Sequence, residues 1–93
     1  KNKNFNVFGE KIGRVQGVGY RAWTKKTAIK YNLSGWVINC LDNSVEFEVS
    51  GGKSDIESFI NECHKGPLLS NVESIKYHEV KFSKYKNFEI RYK

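Results

Sequence analysis

Two glycines one residue apart, Gly17 and Gly19, separate an extended segment ending near Val15 from a helical one starting near Arg21. No other feature restricts the chain as much. The pair lets the backbone turn tightly with its N–H groups facing inward, where a side chain would otherwise block an anion. The first N–H groups of the following helix lack intrahelical partners and add partial positive charge at the same place. Arg21 then supplies a planar, permanently charged fork for oxygen atoms. The run Gln16-Gly17-Val18-Gly19-Tyr20-Arg21 is thus a predicted phosphate cradle.

The rest of the chain must support that turn with limited material. Its 93 residues suffice for one domain, 1–93, and a small core, so most elements bury one face only. The net charge is +6, with basic side chains in two loose groups, Arg14 to Lys30 and Lys81 to Lys93. Such a surface suits solubility, guidance of anionic small molecules, or nucleic acid. The two cysteines, Cys40 and Cys63, lack zinc-ligand spacing and read as reduced, buried thiols of a cytoplasmic protein. No apolar run approaches the ~20 residues of a membrane span, so no membrane partner is expected.

Hydrophobic periodicity orders the elements. A strand with an indistinct start, interrupted by Gly9, Glu10 and Lys11, ends near Val15. A helix over about 21–31 places Tyr20, Thr24, Ala28 and Tyr31 near one stripe. Strands over 35–41 and 44–50 flank a two-residue turn, Asp42-Asn43; in the second, Val45, Phe47 and Val49 alternate with Glu46 and Glu48. A second helix is predicted from a capping box, Ser54 with Glu57, and from the spacing of Ile56, Phe59, Ile60 and Cys63; Gly66-Pro67 stops it. Strands over about 72–80 and 88–92 follow. The order βαββαβ, with a short extra C-terminal strand, predicts an α+β ferredoxin-like sandwich whose antiparallel sheet is covered on one face by two helices.

The stretch Gly13-Arg14-Val15-Gln16-Gly17-Val18-Gly19-Tyr20-Arg21 resembles the signature of the acylphosphatase family. Gly35-Trp36-Val37-Ile38-Asn39 resembles its second motif, and Asn87-Phe88-Glu89-Ile90-Arg91-Tyr92 its C-terminus. The resemblance implies the same ferredoxin-like fold and hydrolysis of the carboxyl–phosphate bond of small acyl phosphates without a metal or other cofactor. It places the family's phosphate-binding arginine on Arg21, its water-positioning asparagine on Asn39 and its backbone cradle on Gln16, Gly17, Val18, Gly19, Tyr20 and Arg21. The chain departs from the family pattern at Tyr20 (phenylalanine is usual), Ile38 (often basic), Asn43 (often glycine) and Leu68-Leu69 (usually smaller).

The chemistry suits the residues present. A carboxylate is a good leaving group, so an acyl phosphate needs no general acid, and His64 and His78 are not placed as one. Phosphoryl transfer is catalysed largely by positioning and charge. The expected partners are a small-molecule acyl phosphate and inorganic phosphate, with the protein a monomer. Each site residue also has a plainer reading. Arg21 would pair with Glu46 or Glu48, Asn39 would bond local backbone, Gly13 would be a packing point, and Gln16 would contribute only its N–H. A dinucleotide-binding reading of Gly17 to Ala22 fails, because an antiparallel hairpin follows where a parallel sheet is needed. An RNA-binding module shares the element order, but its third strand would carry aromatics where this chain has Glu46 and Glu48, so nucleic acid is disfavoured. A non-catalytic domain of the same fold is the remaining alternative.

Overall fold

The computed structural model describes residues 4–17, 19–68 and 70–92. The elements are β1 (Asn4–Arg14), α1 (Tyr20–Lys30), β2 (Ser34–Asn39), β3 (Val45–Gly52), α2 (Lys53–Lys65), β4 (Asn71–Val80) and β5 (Phe88–Arg91). The sheet order is β4-β1-β3-β2-β5. Four strands pair antiparallel, while β5 runs parallel to β2 along the outer edge. The ferredoxin-like α+β sandwich is thus present, with a mixed rather than wholly antiparallel sheet.

Alternation on β3 sets the layers. Val45, Phe47 and Val49 are fully buried beneath the helices, and Glu46 and Glu48 turn to the open face. α1 lies over β2 and β5 and buries Tyr20, Thr24, Thr27 and Ala28. α2 lies over β3 and β4 and buries Ile56, Phe59, Ile60 and Cys63, as its periodicity predicts. At the far ends of the helices, Lys30 and Tyr31 both bond the Glu62 carboxylate, joining α1 to α2.

β1 is one continuous strand, not the interrupted one expected. The Phe47 ring occupies the space beside Gly9, where an added Cβ would come within 2.3 Å of it. Lys11 turns inward, and its ammonium stands over the Tyr20, Phe47 and Phe59 rings at 4.4, 4.9 and 5.5 Å from their centroids. Neighbouring aromatics therefore replace the core side chains that this strand lacks.

Two local expectations change. α2 starts two residues earlier than its capping box predicts, with Gly52 rather than Ser54 at the N-cap, and no side chain caps it; Ser54 falls inside the first turn because β3 runs straight into the helix. The β2–β3 connection is a three-residue loop, Leu41-Asp42-Asn43. The Asn43 N–H donates to the Cys40 carbonyl and the Cys40 N–H to the Ser44 carbonyl, with Asn43 at φ 73°. A left-handed third residue is the usual way to close such a hairpin. Gly66 ends α2 at φ 64°, as predicted.

Gly13 is a packing point of unusual tightness. It lies at φ 132° beside a register shift in the β1–β4 pairing, and an added Cβ would fall 2.1 Å from the Asn71 carbonyl oxygen. Backbone cannot yield as a side chain can. A Gly13→Ala variant is expected to lose at least about 2 kcal/mol from strain and overpacking, measurable as a lowered urea midpoint. An unchanged midpoint would mean the β1–β4 pairing opens without cost.

Candidate active site

After the irregularity at Gly13, the chain leaves the sheet and is anchored by Val15, which is 1% exposed. Gly17 and Gly19 both adopt left-handed backbone, at φ 75° and 74°. A Cβ built on either would meet nothing within 4 Å, so both glycines face open space. Gly19 is also the N-cap of α1, where no side chain caps the helix and no acid occupies the first turn. The helix start therefore retains its donors and partial positive charge. Val18, assigned to the cradle from sequence, lies outside the described residues.

A cavity of about 170 Å³ opens at this turn, lined by Gln16, Gly17, Gly19, Tyr20, Arg21 and Asn39, with Val15, Ala22 and Ile90 completing the wall. Residues of the two separated motifs thus share one cleft. Asn39 ends β2 on the same face as buried Val37, which turns it toward the helices and the cradle. Its carboxamide oxygen is closed off from bulk solvent and has no hydrogen-bond partner among the described residues. The plainer reading, in which Asn39 bonds local backbone, does not describe this structure. An unpaired buried carbonyl costs about 1–3 kcal/mol.

Arg21 is the one charged side chain among the cavity walls. It forms no ion pair among the described residues, and Glu46 and Glu48 lie on the opposite face, so neither is its partner. Its guanidinium instead lies 4.7 Å from the centroid of the Tyr92 ring, a cation–π contact that leaves the hydrogen-bonding edge of the fork unclaimed. Tyr92 had no assigned role in the sequence, although it belongs to the C-terminal stretch that carried the resemblance.

The hydroxyl that distinguishes Tyr20 from phenylalanine points into the core, donating to the Cys63 carbonyl at 2.9 Å. Only the start of α1, not the phenol tip, bears on the cleft. The Gln16 side chain, expected to be idle, donates to the carbonyls of Cys40 at 2.9 Å and Ser44 at 2.7 Å. Trp36 faces the open side of the sheet against Phe8 and Arg91 and does not flank the cavity. His64 and His78 are exposed and lie outside the cleft. A larger space of about 810 Å³ opens at the opposite end of the sheet, by the start of α2, lined by Lys53, Lys84 and Asp55 among others, but it gathers no motif residue. Among the described residues no helix is long and apolar enough to cross a membrane, and Cys40 and Cys63 form no disulfide.

The architecture is a ferredoxin-like α+β sandwich with a cleft shaped and charged for an anion at one end of its sheet. The acylphosphatase family model matches residues 8–90. An acylphosphatase of Alcanivorax borkumensis is 46% identical over 63 residues, which cover 68% of this chain and 68% of that protein. The crystal structure of acylphosphatase from Bacillus subtilis superposes with a TM-score of 0.92 at 32% identity, covering 95% of this chain and 99% of that one. Full-length HypF in its phosphate- and nucleotide-bound form matches with a TM-score of 0.91 at 37% identity, covering 98% of this chain but 12% of that much longer one. The chain belongs to the acylphosphatase family, and with it to the hydrolases that act on acyl phosphates.

Proposed function

We propose that the cleft between the glycine turn and Asn39 is the catalytic site, and that it hydrolyses small acyl phosphates to a carboxylate and inorganic phosphate without a metal. The observation that carries this reading is the convergence of Arg21, the uncapped turn and the unpartnered Asn39 carboxamide on one cavity. The N–H groups from Gln16 to Arg21 and the Arg21 guanidinium hold the phosphoryl oxygens and stabilise their charge as the bonds rearrange. The Asn39 carboxamide orients a water so that its oxygen is aimed at phosphorus. That oxygen forms the new P–O bond. The bond to the acyl oxygen breaks, and the carboxylate leaves with the electron pair. The water proton passes to a phosphate oxygen of the substrate itself, so no protein base is needed.

The decisive assay uses acetyl or benzoyl phosphate in excess chelator, with inorganic phosphate as competitor. Turnover should persist and phosphate should compete. Asn39→Ala should lose about a hundredfold or more in kcat while its phosphate inhibition constant barely moves. Unimpaired turnover in that variant would refute the water-positioning role. We further read the chain as a single-domain, cytoplasmic monomer that engages neither membrane nor nucleic acid. Support comes from the unbridged thiols and from the acidic Glu46 and Glu48 on the open face of the sheet. The basic surface draws anions toward the cleft, so substrate capture should slow as ionic strength rises.

A further inference from the structure

Four carbonyl-directed contacts meet at the base of the hairpin that carries Asn39. The Cys40 N–H donates to the Ser44 carbonyl at 2.9 Å, and the Asn43 N–H to the Cys40 carbonyl at 3.2 Å. The Gln16 amide nitrogen joins them, placed 2.9 Å from the Cys40 carbonyl and 2.7 Å from the Ser44 carbonyl. A primary carboxamide has two N–H donors, so one group can serve both acceptors. Cys40 directly follows Asn39, and Ser44 directly precedes Val45, the register partner of Asn39. Gln16 therefore grips both strands of the hairpin one step beyond the carboxamide that faces the cavity.

Gln16 ties the two parts directly, turn to hairpin, through its side chain. On one side is a turn whose two glycines are exposed and make no side-chain contact of their own. On the other is a hairpin loop with Leu41 95% exposed and Asp42 and Asn43 at the surface. In-line attack needs the water held by Asn39 within about 3–3.5 Å of a phosphorus held by the turn. We infer that Gln16 is a positioning residue whose side chain sets the gap between the phosphate turn and Asn39. The inference rests on the site assigned above. It gives the Gln16 side chain a task apart from its backbone N–H, and it acts on turnover through Asn39 rather than on phosphate binding.

The test is a double-mutant cycle on the whole chain with acetyl phosphate, pairing Gln16→Leu with Asn39→Ala. Leucine has similar bulk and no donors. Gln16→Leu should lower kcat by roughly ten- to a hundredfold and change the phosphate inhibition constant by less than about threefold. In the Asn39→Ala background the same change should cost no more than about twofold, since coupled residues are non-additive. Gln16→Ser, too short to reach either carbonyl, is run alongside in case the leucine variant folds poorly, and it should behave the same way. Equal losses of kcat in both backgrounds overturn the inference, as does a phosphate constant that weakens in step with kcat, or an unaltered kcat. Full turnover in Asn39→Ala alone instead overturns the site reading, and this inference with it.

Discussion

Arg21→Ala is expected to abolish nearly all turnover, lowering kcat/KM by about a thousandfold or more. Inorganic phosphate should also cease to compete at concentrations that saturate the parent protein. The two losses come together because one fork serves ground state and transition state alike. Among the described residues the guanidinium is the only cationic group in the cavity walls, so no described neighbour can replace it. It has no ion-pair partner among the described residues, so its removal strands no buried acid and the fold should survive. Far-ultraviolet circular dichroism and a urea midpoint within about 0.5 kcal/mol of the parent would establish that. Arg21→Lys is not a conservative change here. A lysine keeps the charge but loses the planar pair of donors and most of the stacking on Tyr92. It should recover phosphate competition in part and kcat hardly at all. A kcat in Arg21→Ala close to that of the parent would remove the arginine from the mechanism.

Lys11→Met is expected to move stability in the other direction, raising it by about 1–4 kcal/mol near neutral pH. Lys11 is completely buried. Its ammonium donates to the Thr24 hydroxyl at 3.0 Å, the Cys63 thiol lies within hydrogen-bonding reach, and the Tyr20, Phe47 and Phe59 ring faces surround it. Burial pulls its pKa below the ordinary lysine value and outweighs the charge and hydrogen-bond contributions of Cys63, which act the other way. The folded state thus holds this proton less tightly than the unfolded chain does. Between the lowered pKa and about 10.5 the unfolded state binds more protons, so Lys11 makes stability climb as pH rises through that window. Burial pushes the Cys63 thiol and the Tyr20 phenol upward, which has the opposite effect once pH exceeds their unfolded values. The gain from Lys11 should therefore show above its lowered pKa and below about pH 8.5, before those two ionisations begin in the unfolded chain. Methionine fills the same volume without charge, so its variant should be more stable and flatter across that range. Urea midpoints at three pH values are enough to decide. A less stable methionine variant would mean that the three ring faces outweigh the cost of burying the ammonium.

The cradle was legible because its determinants are local. Gly17 and Gly19 specify left-handed backbone wherever they stand, and Arg21 follows within the first turn of the helix they start. The βαββαβ order was legible for a related reason. Alternation in β3 and the stripe in α2 report which face is apolar without reference to any distant residue. The capping box failed because Gly51 and Gly52 stay in the ladder, opposite Phe5 and Asn4, and deliver the chain to the helix two residues early. The hairpin length was misjudged because Asn43 alone takes the left-handed conformation, which suits a three-residue loop and not a two-residue one.

What could not be read was every relation that depends on a partner far along the chain. Lys11 looked like a break in a strand because its sequence neighbours offer it nothing, and only rings from α1, β3 and α2 make the position tolerable. Gln16 looked idle because its acceptors lie 24 and 28 residues away. Asn39 by itself is an ordinary polar residue at a strand end, and its role follows from β2 pairing in a register that turns it under the helices. Local backbone preference and periodicity thus determined the elements and the left-handed glycine turn. The meeting of that turn with Asn39, Gln16 and Tyr92 was decided by tertiary structure, because side-chain contacts across a sheet depend on register and packing that no single segment encodes.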